Sequence, residues 1–229
     1  MLRADPPVLP PFDAVLFDLD GVLIDSRPPI RHSFGHALAA MGRPALGEAD
    51  VNRFIGPPLE VSAAMALGTH DPATVRTFVG HFREAYRACY LALTEPANGL
   101  VDVLAEVSAT RAIVLATSKP EAFAGPLLDH FGVRGRFVAV CGRSLALDAE
   151  TKAAVVGRAL GHTPHVPREQ VLMVGDREHD VVGAREHGVR TVGMLHGAGT
   201  REELEAAGAD WILPDLPALA RALRPAASA

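Results

Sequence analysis

Six short, almost continuously apolar runs recur along the chain, at 14–17, 112–116, 137–140, 171–174, 191–195 and 211–213. Successive side chains of a strand point to opposite faces, so a run that is apolar throughout suits a strand buried on both sides. That is the signature of a parallel sheet covered by helices. The intervals between the later runs carry helical periodicity at 100–107, 121–131, 151–160, 180–187 and 201–206. The last three of these precede Gly161, Gly188 and Gly208, the residue type that most often ends a helix in the left-handed conformation. Strands alternating with crossover helices predict an α/β fold, a doubly wound, Rossmann-like parallel sheet.

One interval breaks the alternation. Between the first two runs lie more than ninety residues with helical patterning and no convincing strand. Ile30, Phe34, Ala37, Leu38 and Met41 share one helical face, and Val75, Phe78, Val79, Phe82 and Tyr86 share another. Asp71-Pro72 supplies an N-cap and a first helical position for the second. The expected organisation is therefore an α/β core over 1–25 and 97–229 with an α-helical cap domain inserted over 26–96. The insertion is expected at the carboxyl end of the sheet, where such folds bind ligands.

With 48% hydrophobic and 21% charged residues the chain has ample apolar surface for a core. Its 22 basic and 27 acidic side chains give a formal charge of −5 and no basic stripe, so nucleic acid is not an expected partner. The longest apolar run, 88–93, is far short of the ~18 residues of a membrane span. The proline-rich 1–11 segment lacks the pattern of a secretory signal and is read as a short leader of a cytoplasmic protein. Cys89 and Cys141 form no metal or disulfide pattern and read as small buried hydrophobes. There is no internal repeat, and the tail after Pro225 is expected to fray.

Three of the predicted strands end on chemically capable side chains: Asp18 follows Phe17, Thr117 follows Ala116, and Asp176 follows Val174-Gly175. In a parallel sheet these ends lie along one edge, so Asp18, Asp20, Thr117, Asp176 and Asp180 are expected in one crevice. Four carboxylates there demand a cation, and oxygen ligands without Cys or His at ligand spacing favour Mg²⁺. In Asp18-Leu19-Asp20-Gly21 one acid can serve as nucleophile. The other, kept protonated by its neighbour, can serve as general acid and then base.

Lys152 falls in the first turn of a helix capped by Thr151, where the macrodipole disfavours a cation. Such a local violation points to a functional site, here the neutralisation of Asp18 and of phosphate oxygens. Thr117-Ser118-Lys119-Pro120 offers hydroxyls and amides at a strand-to-helix turn, a plausible phosphate cradle. Taken alone, Ser118 and Lys119 read better as a helix cap and an exposed charge. Asp176 and Asp180, spaced i and i+4, share one helical face, and His179 between them reads as a hydrogen-bonding residue.

Asp18-Leu-Asp20-Gly-Val-Leu23, Thr117 after an apolar strand, Lys152, and Gly175-Asp176-x-x-x-Asp180 together resemble the haloacid dehalogenase superfamily over nearly the whole chain. Phe54-Ile-Gly-Pro-Pro-Leu59, Gly175-Asp-Arg-x-His-Asp180 and His196-Gly-x-Gly199 look most like its phosphoglycolate phosphatase and 5′-nucleotidase-like branch. The resemblance implies Asp18 as the nucleophile that forms an aspartyl-phosphate, Asp20 as acid/base, Thr117 as phosphoryl ligand and Lys152 as charge neutraliser. It implies Mg²⁺ held by Asp18, the Asp20 carbonyl and Asp176, with Asp180 ligating directly or through water, and a helical cap acting as a lid. Gly21, Ser118 and Arg53 are the candidate substrate contacts.

The leading expectation is a Mg²⁺-dependent phosphatase of small phosphorylated metabolites, monomeric or homodimeric. Val22 stands where many of the family's phosphatases have Thr, as in its phosphomutases, so a sugar-phosphate mutase is the alternative. A catalytically silent metabolite-binding module is the third. Dehalogenation fits less well, because it offers no leaving alkoxide for Asp20 to protonate.

Overall fold

A computed structural model describes residues 6–47, 54, 57–144 and 150–224. Arg53, the first residues of the proline-rich segment and the tail after Pro225 lie outside the described residues. The described chain divides into two compact units, with boundaries between Ile24 and Asp25 and between Glu95 and Pro96.

The first unit is built on a six-stranded, all-parallel sheet. Its strands are β1 (Ala14–Phe17), β4 (Ala112–Pro120), β5 (Ala139–Arg143), β6 (Val171–Gly175), β7 (Arg190–Met194) and β8 (Trp211–Leu213), in the spatial order β5-β4-β1-β6-β7-β8. The chain winds outward from β1 through β4 and β5, then returns to the other side of β1 for β6 to β8. The doubly wound order expected from the sequence is thus present, with its reversal between β1 and β6. All four residues of β1 are buried, as are Val114, Leu115, Leu172 and Met173 of its neighbours. Leu16, Val114 and Met173 pack with Val155 and Val156 of the helix α6 (Lys152–Leu160). Each such side chain contributes about 1.5–3 kcal/mol over its exposed state.

Register fixes the functional edge. Phe17 pairs with Leu115 on one side and Val174 on the other. Asp18, Thr117 and Asp176 therefore leave three adjacent strands within one residue of the same level. The remaining helices of this unit are α4 (Leu100–Ser108), α5 (Glu121–His130), α7 (Glu178–Arg185), α8 (Arg201–Ala207) and α9 (Leu216–Ala222).

Several details differ from the sequence reading, among them the run of β4 past Ala116 to Pro120. Strand β5 starts two residues later than expected and runs to Arg143, because it is an edge strand whose ladder to β4 begins at Ala139, while Val138 is left exposed. Helix α7 covers Glu178–Arg185 and not 180–187, since Asp180 caps it from inside. Gly188 and Gly208 have positive φ, but Gly161 has φ −63° and ends α6 without a left-handed residue.

The second unit is helical: α1 (Arg27–Ala40), α2 (Leu59–Leu67) and α3 (Pro72–Leu93). Phe34 of α1 meets Phe78 and Phe82 of α3, with ring centroids 5.2 Å apart in each pair. Asp71 caps α3 through the Thr74 amide at 2.8 Å, and the expected face of Val75, Phe78, Val79, Phe82 and Tyr86 is buried. The strands at its margins, β2 (Ile24–Asp25) and β3 (Glu95–Pro96), are two residues each and pair where the chain leaves and re-enters the first unit.

Candidate active site

Asp18 leaves β1 with its amide on the Val174 carbonyl, 2.9 Å away, which ties it to β6 as well as to its own strand. The chain then turns tightly through Asp20 and Gly21, and the amides of Leu23 and Ile24 both reach the Leu19 carbonyl. Gly21 has φ +80°, and a Cβ there would overlap the Asp176 carboxylate. Only glycine lets this loop lie against the β6 end.

Asp176 follows β6 and is 1% exposed. One of its carboxylate oxygens accepts the Ala198 amide at 2.7 Å. The loop carrying that amide passes so near that a Cβ on Gly197 would meet the carboxylate. Asp180, at the third position of α7, accepts through Oδ2 from the amides of Asp176 and Arg177, each at 3.1 Å. Asp180 thus caps the turn that follows Asp176, which accounts for the i, i+4 spacing of the two acids. His179, between them, is exposed beside Glu178 and is not the hydrogen-bonding residue expected.

Lys152 does enter the crevice. Its Nζ lies 2.8 Å from Asp18 Oδ1 and 2.6 Å from Asp180 Oδ1. Thr151 caps α6 through the Ala154 amide, which holds Lys152 at the helix start despite the unfavourable dipole. Thr117 is buried, and its hydroxyl oxygen accepts the Lys119 amide at 3.2 Å, so the hydroxyl proton is available to a ligand.

Two expectations for the next residues fail. Ser118 is half-buried in β4 and caps no helix, since α5 begins after Pro120. Lys119 is buried, not exposed, and its Nζ lies 2.8 and 3.0 Å from the two oxygens of Asp20. A strand's period of two puts Lys119 on the same face as Thr117, and this signal was present in the sequence. The Ala198 amide and the His196 ring, which donates through Nε2 to the Val22 carbonyl at 2.8 Å, had no such signal.

Each of Asp18, Asp176 and Asp180 offers an oxygen within 4.8 Å of those of the others. Burial, then the negative charges of Asp180 and Asp20, push the Asp18 carboxyl up to about 6 even with Lys152 opposing them. Burial, then Asp180 and Asp18, also hold Asp176 well above the usual carboxylate range. Burial disfavours the Lys152 ammonium, but Asp18 and Asp180 together more than reverse that and raise it above its ordinary value. Lys119 and Lys152 pair directly with three of the four acids, so one negative charge is left over with Asp20 protonated and two when all four acids are ionised. An all-oxygen donor set with that excess fits one hard divalent cation.

Fold and site define an α/β protein with an acidic, lysine-braced crevice at the switch point of its sheet. The family model of haloacid dehalogenase-like hydrolases matches residues 15–194, and the chain belongs to that family. It is 35% identical over 210 residues to a 5′-nucleotidase of Pseudomonas aeruginosa, covering 91% of this chain and 94% of that one. It is 35% identical over 204 residues to phosphoglycolate phosphatase 1 of the same organism, covering 82% and 73%. Identity to the tyrosine-protein kinase PtkA of Mycobacterium tuberculosis is 37% over 198 residues, 83% of this chain but 65% of that one. A crystal structure of a predicted phosphatase from Clostridium acetobutylicum superposes with a TM-score of 0.84 at 30% identity, covering 93% and 98%.

Proposed function

We propose that the chain is a Mg²⁺-dependent phosphatase that hydrolyses small organic phosphate monoesters through an aspartyl-phosphate on Asp18. The observation that carries this reading is the buried Asp18 at the end of β1, braced by Lys152 at 2.8 Å, with Asp20 two residues further on.

In the first step a carboxylate oxygen of Asp18 attacks phosphorus and the bond to the leaving oxygen breaks. Asp20 delivers a proton to that oxygen, so an alcohol departs. In the second step Asp20, now a carboxylate, takes a proton from water as the water oxygen attacks phosphorus. The bond to Asp18 breaks and inorganic phosphate leaves, with both acids returned to their starting states. Lys152 neutralises charge on Asp18 and on the phosphoryl oxygens, and the Thr117 hydroxyl donates to one of them. Asp18, Asp176 and the Asp20 carbonyl would hold Mg²⁺, with Asp180 beside them. When bound, the ion supplies charge neutralisation for the phosphoryl group. Uncatalysed phosphate-monoester hydrolysis can call for on the order of 10²¹-fold acceleration, which explains the concentration of fixed charge.

In this reading the helical unit over 25–95 selects the substrate, and Gly21, Ser118 and Arg53 are the candidate substrate contacts. Hydrolysis is favoured over the mutase alternative by the 5′-nucleotidase and phosphoglycolate phosphatase names of the relatives. The test is phosphate release from a panel of nucleotides, phosphoglycolate and sugar phosphates with Mg²⁺, with EDTA, and with Asp18→Asn. Release abolished by both interventions supports the reading. Transfer to an organic acceptor in place of water, or no turnover at all, contradicts it.

A further inference from the structure

Strand β4 pairs with β5 through Thr117 opposite Gly142, then resumes with Pro120 opposite Arg143. Ser118 and Lys119 are therefore extra residues on the β4 side, a bulge at the edge of the candidate site. Bulges of this kind bend a strand and re-aim its side chains. The bulge is accommodated by the neighbouring strand: a Cβ on Gly142 would sit 2.7 Å from the Lys119 carbonyl oxygen and 2.5 Å from the Glu121 amide nitrogen. Arg158 of α6 in turn donates to the Gly142 carbonyl at 2.6 Å. The result is a lysine that is 8% exposed, with its ammonium across both oxygens of Asp20.

We propose that Lys119 is a positioning residue of the reaction, which fixes the Asp20 carboxyl toward the oxygen of the departing alcohol. The proposal rests on the reading of Asp20 as acid and base given above. Asp20 is the more exposed of the two partners, with 18% of its side chain accessible against 6% for Lys119. An aspartate on a tight turn has two side-chain torsions to settle, and a two-point contact from a buried ammonium restricts both. Lys152 cannot substitute, because its ammonium is committed to Asp18 and Asp180.

This role separates substrates by their leaving groups. An alkyl phosphate expels an alkoxide that must be protonated as it leaves, whereas p-nitrophenyl phosphate expels a stable phenolate that needs no proton. The ratio kcat/KM reports the steps up to departure of the leaving group, so it isolates the proton delivery from the later attack of water. The experiment measures kcat/KM for an alkyl phosphate turned over by the parent and for p-nitrophenyl phosphate, in the parent, Lys119→Met, Lys119→Arg, Asp20→Asn and Asp20→Asn/Lys119→Met. For Lys119→Met the expected fall is roughly 10²-fold on the alkyl ester and about tenfold or less on the aryl ester. Lys119→Arg recovers part of the alkyl loss, and Lys119→Met adds no further alkyl-selective loss once Asp20 is Asn.

Equal losses on both esters, or an undiminished selective loss in the Asp20→Asn background, overturn the assignment while leaving the phosphatase reading intact. If Lys119→Met does not fold, the comparison of Lys119→Arg with the parent decides: an alkyl-selective deficit supports the assignment and an even deficit overturns it. A parent chain that turns over neither ester overturns the phosphatase reading and, with it, this proposal.

Discussion

Lys152 and Asp18 meet in a buried ion pair, Nζ to Oδ1 2.8 Å, although 134 positions separate them in sequence. The same ammonium holds Asp180 at 2.6 Å, so one lysine at the start of α6 ties the ends of β1 and α7 together. Removing it leaves buried carboxylates facing one another. Lys152→Met is expected to lower stability by about 3 kcal/mol at neutral pH, the lower end for breaking a buried pair, because the acids can take up protons. Turnover is expected to fall on the order of 10²–10³-fold, as for loss of one charge-stabilising donor. Denaturant melts and steady-state kinetics check both, and an unchanged midpoint contradicts the account.

A pH dependence follows from the raised acids. Asp18 titrates at about 6 in the fold against an ordinary 3.8, and Asp176 is shifted in the same direction. A carboxyl with a raised folded value binds its proton more tightly folded than unfolded. These groups therefore favour the cation-free fold most at low pH, and that contribution is lost as pH rises through the folded value. A divalent cation offsets the loss by compensating the ionised carboxylates. The rise in melting temperature on adding Mg²⁺ is expected to be larger at about pH 7.5 than at about pH 5. Equal rises at the two pH values contradict the raised carboxyls.

Gly21 makes a more local test, because its φ of +80° and its contact with Asp176 can be separated. Gly42 has φ +66° and open space around it, so Gly42→Ala carries the backbone cost alone. Gly21→Ala is expected to cost more than about 1 kcal/mol and to exceed Gly42→Ala. It is also expected to weaken the Mg²⁺-induced stabilisation, which Gly42→Ala leaves unchanged. Identical behaviour of the two variants contradicts the packing of the Gly21 loop on Asp176.

Much of this arrangement was legible in the sequence because a parallel sheet has one carboxyl edge. Once 14–17, 112–116 and 171–174 are strands, Asp18, Thr117 and Asp176 must share that edge, and register brings them within a residue of one level. Asp71-Pro72 was legible because capping is a local matter. Lys119 escapes the sequence reading because that reading ends the strand at Ala116; carried on past Thr117, the alternation puts Lys119 on the buried face, and Gly142 of another strand supplies the room. The hydrogen-bonding role expected of His179 fails for a simpler reason, since Asp180 turns inward to cap the start of α7 while His179 beside it is exposed. Gly161 was read as a left-handed stop from its position alone, yet α6 ends without one. The tie from His196 to Val22 joins loops far apart in the chain, and no spacing rule announces it.

The central claim is that Asp18 carries the phosphoryl group. Its most direct test uses Asp20→Asn, which slows release of the intermediate, mixed with an aryl phosphate and Mg²⁺ and quenched in acid. Borohydride reduction converts an aspartyl-phosphate to homoserine, and peptide sequencing locates it. The account predicts homoserine at position 18 alone, absent when Asp18 is also replaced by Asn. Homoserine at another aspartate, or none from a variant that still releases the phenol in a burst, contradicts it.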